Sequence, residues 1–189
     1  MASNYKRLGD YIEEVDERNS EGFDIPIGLQ GKTKTFIETV ANVSETDLSN
    51  YKLLKNNYFA FSPMQVGRDE RLSISLYKSE KTSIISPAYI TFRVKSENKL
   101  LPEYLMMYFR RKESDRFFAY ISDCSIRSSI SWEDMCNVLM PIPNIKRQRA
   151  FIEKYNAIMG LINSAKEQEN ILKNTMEDIS EKFFENLKR

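Results

Sequence analysis

The stretch SISWEDMCNVLMPIPNIKRQRAFIEKY, Ser129 to Tyr155, decides how the chain is organised. Ser131-Trp132-Glu133-Asp134 puts a hydroxyl at a helix N-cap position and a carboxylate three residues on. That is a capping box with Asp in place of the usual Glu or Gln, and it predicts a short helix to Asn137. Val138-Leu139-Met140 is too short for anything but an edge strand. Pro141-Ile142-Pro143 keeps the chain extended, because the residue before a proline is pushed out of the helical region. Asn144 then stands where it can cap a long charged helix. The order is short helix, edge strand, rigid exit, long helix. The two prolines are expected to fix the angle at which that last helix leaves the part before it.

Towards the C-terminus, Phe151, Tyr155, Ile158, Ile162, Ala165, Glu169, Leu172, Met176, Ile179 and Phe183 recur in alternating steps of four and three. With Tyr and Ala counted as apolar, only Glu169 breaks the seam. It is either a register-setting polar residue or a solvated interruption. Lys, Glu, Asn and Asp flank the seam. This is a coiled-coil heptad, narrower than the stripe of a helix lying on a core. From Phe151 to Leu187 such a helix spans roughly 55 Å at 1.5 Å per residue. That exceeds the width of a domain of this size, so the helix is expected to project and to need a partner helix for its seam. The alternative is packing back on an N-terminal helix of its own chain.

Towards the N-terminus, Leu8, Ile12 and Val15 sit at helical spacing among charges and predict an amphipathic helix over residues 5–16, ended by Asn19-Ser20-Glu21-Gly22. A region of mixed pattern follows. Thr46 to Tyr51 reads as a capped helical turn. Tyr58-Phe59-Ala60-Phe61 reads as a strand stopped by Pro63. Leu72 to Leu76 alternates apolar and polar, as a half-buried strand does. Ser83-Ile84-Ile85 and Tyr89 to Val94 are two further strands. Pro102 opens a helix through Leu105, Met106 and Phe109, at the first-turn position where proline is tolerated. Phe117, Phe118 and Ile121 mark another short helix. The fold class is α+β: a globular part with a small mixed sheet and short helices, then one long projecting coiled-coil helix. The boundary falls at residues 1–144 and 145–189.

With 41% apolar residues and only six Gly and six Pro among 189, the chain is a folded one rather than a low-complexity one. The absence of histidine removes histidine-based triads, proton shuttles and most zinc sites. Cys124 and Cys136 are not a C-x-x-C pair and read as small buried side chains in a reducing compartment. No signal core and no run near 18 apolar residues occurs, so a cytoplasmic protein without a membrane span is expected. The net charge is +1 but unevenly spread: residues 1–30 carry 3 basic and 7 acidic side chains, residues 31–150 carry 19 and 13, and residues 151–189 carry 6 and 7. A polyanion would meet the middle of the chain.

Phosphate-binding glycine motifs are missing, and acidic pairs such as Glu13-Glu14, Asp69-Glu70 and Glu133-Asp134 read as solvated faces. No catalytic residue and no metal ligand is assigned. Gln30, Lys32, Lys34, Gln65, Arg68, Arg71, Ser125, Arg127 and Ser128 lie in segments read as loops. Arg pairs bidentately with guanine and Gln with adenine, while Lys and small hydroxyls grip phosphate, so these are the candidate nucleic-acid contacts; ordinary surface polarity is the alternative for each. Arg110-Arg111-Lys112 follows a helix end, where cations favour the dipole.

The chain resembles the specificity (S) subunits of type I restriction–modification systems. The matching elements run in order: Leu8-Gly9-Asp10 leading to Arg18-Asn19; Asp47 to Lys52; Tyr58 to Pro63; Ile85-Ser86-Pro87-Ala88-Tyr89; Leu101 to Leu105; Arg127 with Ile130 to Met135; and Pro141-Ile142-Pro143 through Gln148 to Ile152. Where the family often has a second proline and a Glu-Gln pair, this chain has Asn144 and Arg147-Gln148. The resemblance implies a DNA target recognition domain over 1–144 and a dimerisation and spacer helix over 145–189, in a chain with room for one of each. It implies a half-subunit whose two copies pair through Tyr155, Ile158, Ile162, Leu172, Met176, Ile179 and Phe183 and read a bipartite inverted repeat of double-stranded DNA. It further implies no catalysis and no cofactor in this chain. An adenine methyltransferase subunit using S-adenosylmethionine and a restriction and translocase subunit using ATP and Mg are the implied partners. The other readings are a recognition domain cut from a longer fused restriction–methylation enzyme, or an adaptor or inhibitor that does not bind DNA.

Overall fold

The computed structural model describes residues 5–39, 43, 46–64, 66–122 and 128–186. Internal contacts divide the chain into two units, Met1–Arg149 and Ala150–Arg189.

The first unit is α+β, with three sheets among its described residues. One is antiparallel, β2-β9-β6-β7, built from β2 (Ile12–Glu14), β9 (Ile90–Val94), β6 (Phe59–Phe61) and β7 (Ile74–Leu76). A second, mixed sheet runs β4-β3-β8-β5, from β4 (Thr35–Glu38), β3 (Pro26–Gln30), β8 (Ser83–Ile85) and β5 (Lys52–Leu54), with β3 and β8 parallel. The third pairs β1 (Tyr5–Arg7) with β10 (Leu139–Pro141). The α-helices are α1 (Val66–Asp69), α2 (Pro102–Phe109), α3 (Lys112–Ile121), α4 (Trp132–Asn137) and α5 (Ile145–Asn186).

Strand alternation divides the core in two. Phe59, Phe61, Phe92, Val94 and Ile74 point from the first sheet to one side, where Leu105, Met106 and Phe109 of α2, Phe118 of α3 and Met135 of α4 complete a cluster. Phe59 and Phe92 stack at 4.7 Å between ring centroids. Ala60 and Tyr77 belong to a second cluster with Leu54 and Ile85 of the mixed sheet. Thr91, on the same side as Ala60, is buried and donates its hydroxyl to the Val15 carbonyl.

The stretch from Ser129 forms as its punctuation dictates. The Ser131 hydroxyl accepts from Asp134 N at 3.1 Å, and Asp134 Oδ2 accepts from Ser131 N at 2.7 Å. The strand sits one residue later than expected, at Leu139–Pro141, and Asn144 Oδ1 caps α5 by accepting from Arg147 N at 3.0 Å. Gln148 is fully buried. It accepts from Leu101 N at 2.9 Å and donates to the Lys99 and Pro143 carbonyls at 2.9 and 2.7 Å. This side chain ties the first turn of α5 to the Lys99–Leu101 turn.

Residues 5–16 correct the sequence reading: they are not a helix. They form β1, a 3-10 turn over Leu8–Asp10, and β2. Leu8, Ile12 and Val15 are all buried, but Leu8 and Ile12 enter the first cluster and Val15 the second, so their spacing served two cores. A twelve-residue helix is marginal on its own, and here distant strands outcompete it. Gly9 marks the reason: a Cβ there would stand 2.8 Å from Cys136 Cβ and 3.2 Å from its Cα. The N-terminal helix considered as a packing partner for the seam is accordingly absent among residues 5–16.

In the second unit the chain continues as helix to Asn186. The seam positions Ile158, Ile162, Leu172, Met176, Ile179 and Phe183 are exposed and Tyr155 is half-buried. Glu169 forms an ion pair with Lys173 one turn on, at 2.7 Å. Among the described residues, no helix is long and apolar enough to cross a membrane.

Candidate nucleic-acid interface

The β3–β4 hairpin closes with Gln30 opposite Thr35, and Lys34 N donates to Gln30 O at 2.9 Å. Lys34 takes a left-handed conformation, φ 53°. That twist turns its side chain inward. Its ammonium meets Asp115 Oδ1 at 2.6 Å and donates to the Phe109 carbonyl, and the residue is only 5% exposed. Asp115 Oδ1 also accepts from Leu72 N at 3.1 Å. One carboxylate on α3 thus holds the hairpin and the approach to β7 together. Burial pushes the Lys34 pKa below the usual lysine value against the pull of Asp115, with the Arg71 and Arg110 charges acting the same way as burial. Lys34, expected to grip phosphate, is committed inside the fold.

The hairpin tip stays outside. A Cβ on Gly31 would fall 2.2 Å from Ser73 Oγ and 3.2 Å from its Cβ, so the tip abuts the chain entering β7. Lys32 is exposed. Gln30 is exposed too, and its Oε1 accepts from Thr33 Oγ1 at 2.6 Å.

After α1 the chain reverses. Glu70 adopts φ 50°, and Arg71 N donates back to Val66 O at 3.2 Å. This is a Schellman closure with glutamate where glycine is usual. Arg71 Nε donates to the Asp69 carbonyl at 3.1 Å, and Arg68 Nε pairs with Asp69 Oδ1 at 2.8 Å. Hairpin and turn line one open cleft of about 510 Å³. Leu29, Gly31 and Lys32 line it from the hairpin and Asp69 and Arg71 from the turn, with Ser62, Ser73 and Tyr89. The mixture suits a nucleic acid: cations for phosphate, a guanidinium fork and hydroxyls for base edges, an aromatic ring for a base or sugar.

Of the residues named from the sequence, Lys32 and Arg71 meet in this cleft, and Gln30 stands beside it on the hairpin. Arg68 is exposed on α1 but does not line it. Ser128 adopts φ 44°, and its carbonyl accepts from Val66 N at 2.9 Å, which ties it to the start of α1. Gln65, Ser125 and Arg127, like Cys124, lie outside the described residues. Arg110 follows α2 as its C-cap, and the Arg111 guanidinium lies 5.5 Å over the Tyr108 ring. Gly31, Ser62, Ser73 and Tyr89 are not among the contacts expected from the sequence, and Asp69 is expected there only as part of a solvated face. Small and acidic residues carry no recognition signal of their own, and Tyr89 had been assigned to a strand. Among the described residues no group of three or more acidic, cysteine or histidine side chains gathers as a metal site.

No protein-family model matches this chain, and no curated protein does. Solved structures do. One is a chain from a study of complex assembly and conformational transition of the type I R-M system: TM-score 0.57, 16% identity, covering 88% of this chain and 41% of that one. Another is the HsdS subunit from Thermoanaerobacter tengcongensis: TM-score 0.51, 17% identity, covering 88% of this chain and 40% of that one. In fold, then, the chain is similar to the specificity subunits of type I restriction–modification systems, and it spans well under half the length of those it matches.

Proposed function

We propose that the chain reads double-stranded DNA as a specificity half-subunit of a type I restriction–modification system. The observation that carries this reading is the cleft in which Lys32 and Arg71 meet on an HsdS-like fold. Lys32 takes phosphate, and Arg71 with Gln30 reaches base edges. Two copies pair through the Tyr155–Phe183 seam, and a two-fold assembly reads inverted half-sites. Adenine methylation and DNA cleavage belong to partner subunits, which hold S-adenosylmethionine, ATP and Mg. The chain itself positions them, in the cytoplasm where the DNA is.

Two measurements test this. Tagged protein recovered from its source cells should bring down a stoichiometric adenine methyltransferase. Purified protein should bind duplex DNA with log affinity falling linearly in log salt, by about 0.9 per phosphate neutralised. Neither methyltransferase nor salt-dependent binding would leave an adaptor that shares only the fold. A second reading is favoured by the coverage of about two fifths of the matched chains: the same recognition domain works inside a longer polypeptide. The mass of the protein in source cells separates the two.

A further inference from the structure

Among the described residues lining the cleft, Asp69 is the one acid. A carboxylate facing a polyanion is unfavourable unless it meets a hydrogen-bond donor. In the major groove the donors are cytosine N4 and adenine N6; guanine O6 and N7 and thymine O4 are acceptors and repel it. Asp69 Oδ1 accepts from Arg68, and Oδ2 has no partner among the described residues. It is an acceptor poised to select one kind of base edge.

Arg71 is its complement. Its Nε is anchored on the Asp69 carbonyl at 3.1 Å, which orients the guanidinium and leaves the two terminal nitrogens without a partner among the described residues. Such a fork matches guanine O6 and N7. The local backbone is what allows both side chains to act in one place. In a continued helix, positions 69 and 71 would stand roughly 200° apart. Glu70 in the left-handed region breaks the helix between them, the Arg71 N–H closes back on Val66 O at 3.2 Å, and both residues line the cleft. A non-glycine residue in that conformation is strained and marks a turn the surroundings enforce.

The major-groove edge of a G·C pair sets the cytosine N4 donor beside guanine O6 and N7 acceptors. We propose that Asp69 and Arg71 read one G·C base pair together, Asp69 accepting from cytosine N4 and Arg71 donating to guanine O6 and N7. The inference rests on the DNA-reading function above and deepens it. It assigns a base pair to the cleft and makes Asp69, read from sequence as part of a solvated face, a specificity residue.

Selection from a randomised duplex library tests it, with wild-type protein, Asp69→Asn, Arg71→Ala and Arg71→Lys run in parallel. Circular dichroism and melting check that each variant is folded. The wild type should enrich a motif with a fixed G·C pair. Asp69→Asn should relax or redirect that single position by about 5- to 100-fold and leave the others alone. Arg71→Ala should lose preference at the same pair, and Arg71→Lys, which keeps charge without the fork, should not restore it. An Asp69→Asn motif identical to wild type, or a uniform loss of affinity across all sequences for Arg71→Ala, overturns the base-pair assignment while DNA reading stands. No motif and no salt-dependent binding by the wild type overturns both.

Discussion

Phenylalanines in the two units meet opposite fates. Phe59, Phe61, Phe92, Phe109 and Phe118 of Met1–Arg149 are fully buried, whereas Phe183 and Phe184 of Ala150–Arg189 are 61% and 60% exposed. Chemistry is the same; the supply of neighbours is not. The first unit brings sheets and short helices together over long sequence separations, and every one of those rings finds a wall. The second is one helix, which satisfies its own backbone but cannot enclose its own side chains. The first unit completes its core by itself, and the second carries an apolar seam whose burial needs another helix.

Four substitutions and one titration sharpen or break this contrast. The largest effect is expected from Phe92→Ala, which empties a site between the Phe59 stack, Phe61 and Trp132. It should lose about 3–5 kcal/mol of unfolding free energy; a loss under about 1 kcal/mol in urea titration would mean that the first core is not the close-packed body described. Asp115→Asn leaves the buried Lys34 ammonium without its counter-charge and should lose on the order of 2 kcal/mol, as hydrogen bonds to charged groups do. An unchanged melting temperature would show the hairpin is held some other way. Ser131→Ala removes the cap of α4 and should lose about 1 kcal/mol.

Acidification should act more weakly. The Lys55 ammonium, with the Tyr58 hydroxyl, holds the Glu17 carboxyl below the usual glutamate range. A lowered carboxyl contributes stability above its unfolded pKa and loses that contribution as pH falls through the folded value. Wild type should therefore lose more melting temperature than Glu17→Gln on going from pH 6 to below 4, and salt should shrink the difference because the pair is partly exposed. Equal losses would remove Glu17 from the account. The smallest stability effect within the single chain belongs to Leu172→Lys, less than about 0.5 kcal/mol because the position is exposed there. Its readout is mass: light scattering should show wild-type dimers and variant monomers. Unchanged mass would break the assignment of the seam to self-association.

What could be read in advance was local. The capping box at Ser131–Asp134, the Asn144 cap, proline at the start of α2 and the alternation through Phe59–Phe61 each depend on a few consecutive residues, and each formed. Lys32 and Arg71 were legible as candidate contacts because their chemistry is carried by the side chain itself. The inward turn of Lys34 was not, since nothing in Gly31-Lys32-Thr33-Lys34 announces an ion pair with Asp115. Nor was Asp69, because glutamate at 70 gives no sign of a left-handed turn.

By itself, then, the sequence determined helices α2, α3, α4 and α5, the strands with clear alternation and the α+β class, but not the short helix α1, because dihedral preference, capping and side-chain period act over a turn or two of chain. Tertiary structure alone decided that residues 5–16 are strands rather than a helix, that one lysine of the hairpin is buried and its neighbour exposed, and that Asp69 and Arg71 share a cleft with Lys32. Those outcomes depend on which distant segments meet. β1 pairs with β10, Gly9 packs against Cys136 and Gly31 against Ser73, and a spacing pattern that fits a helix yields when long-range pairing buries the same side chains on two different faces.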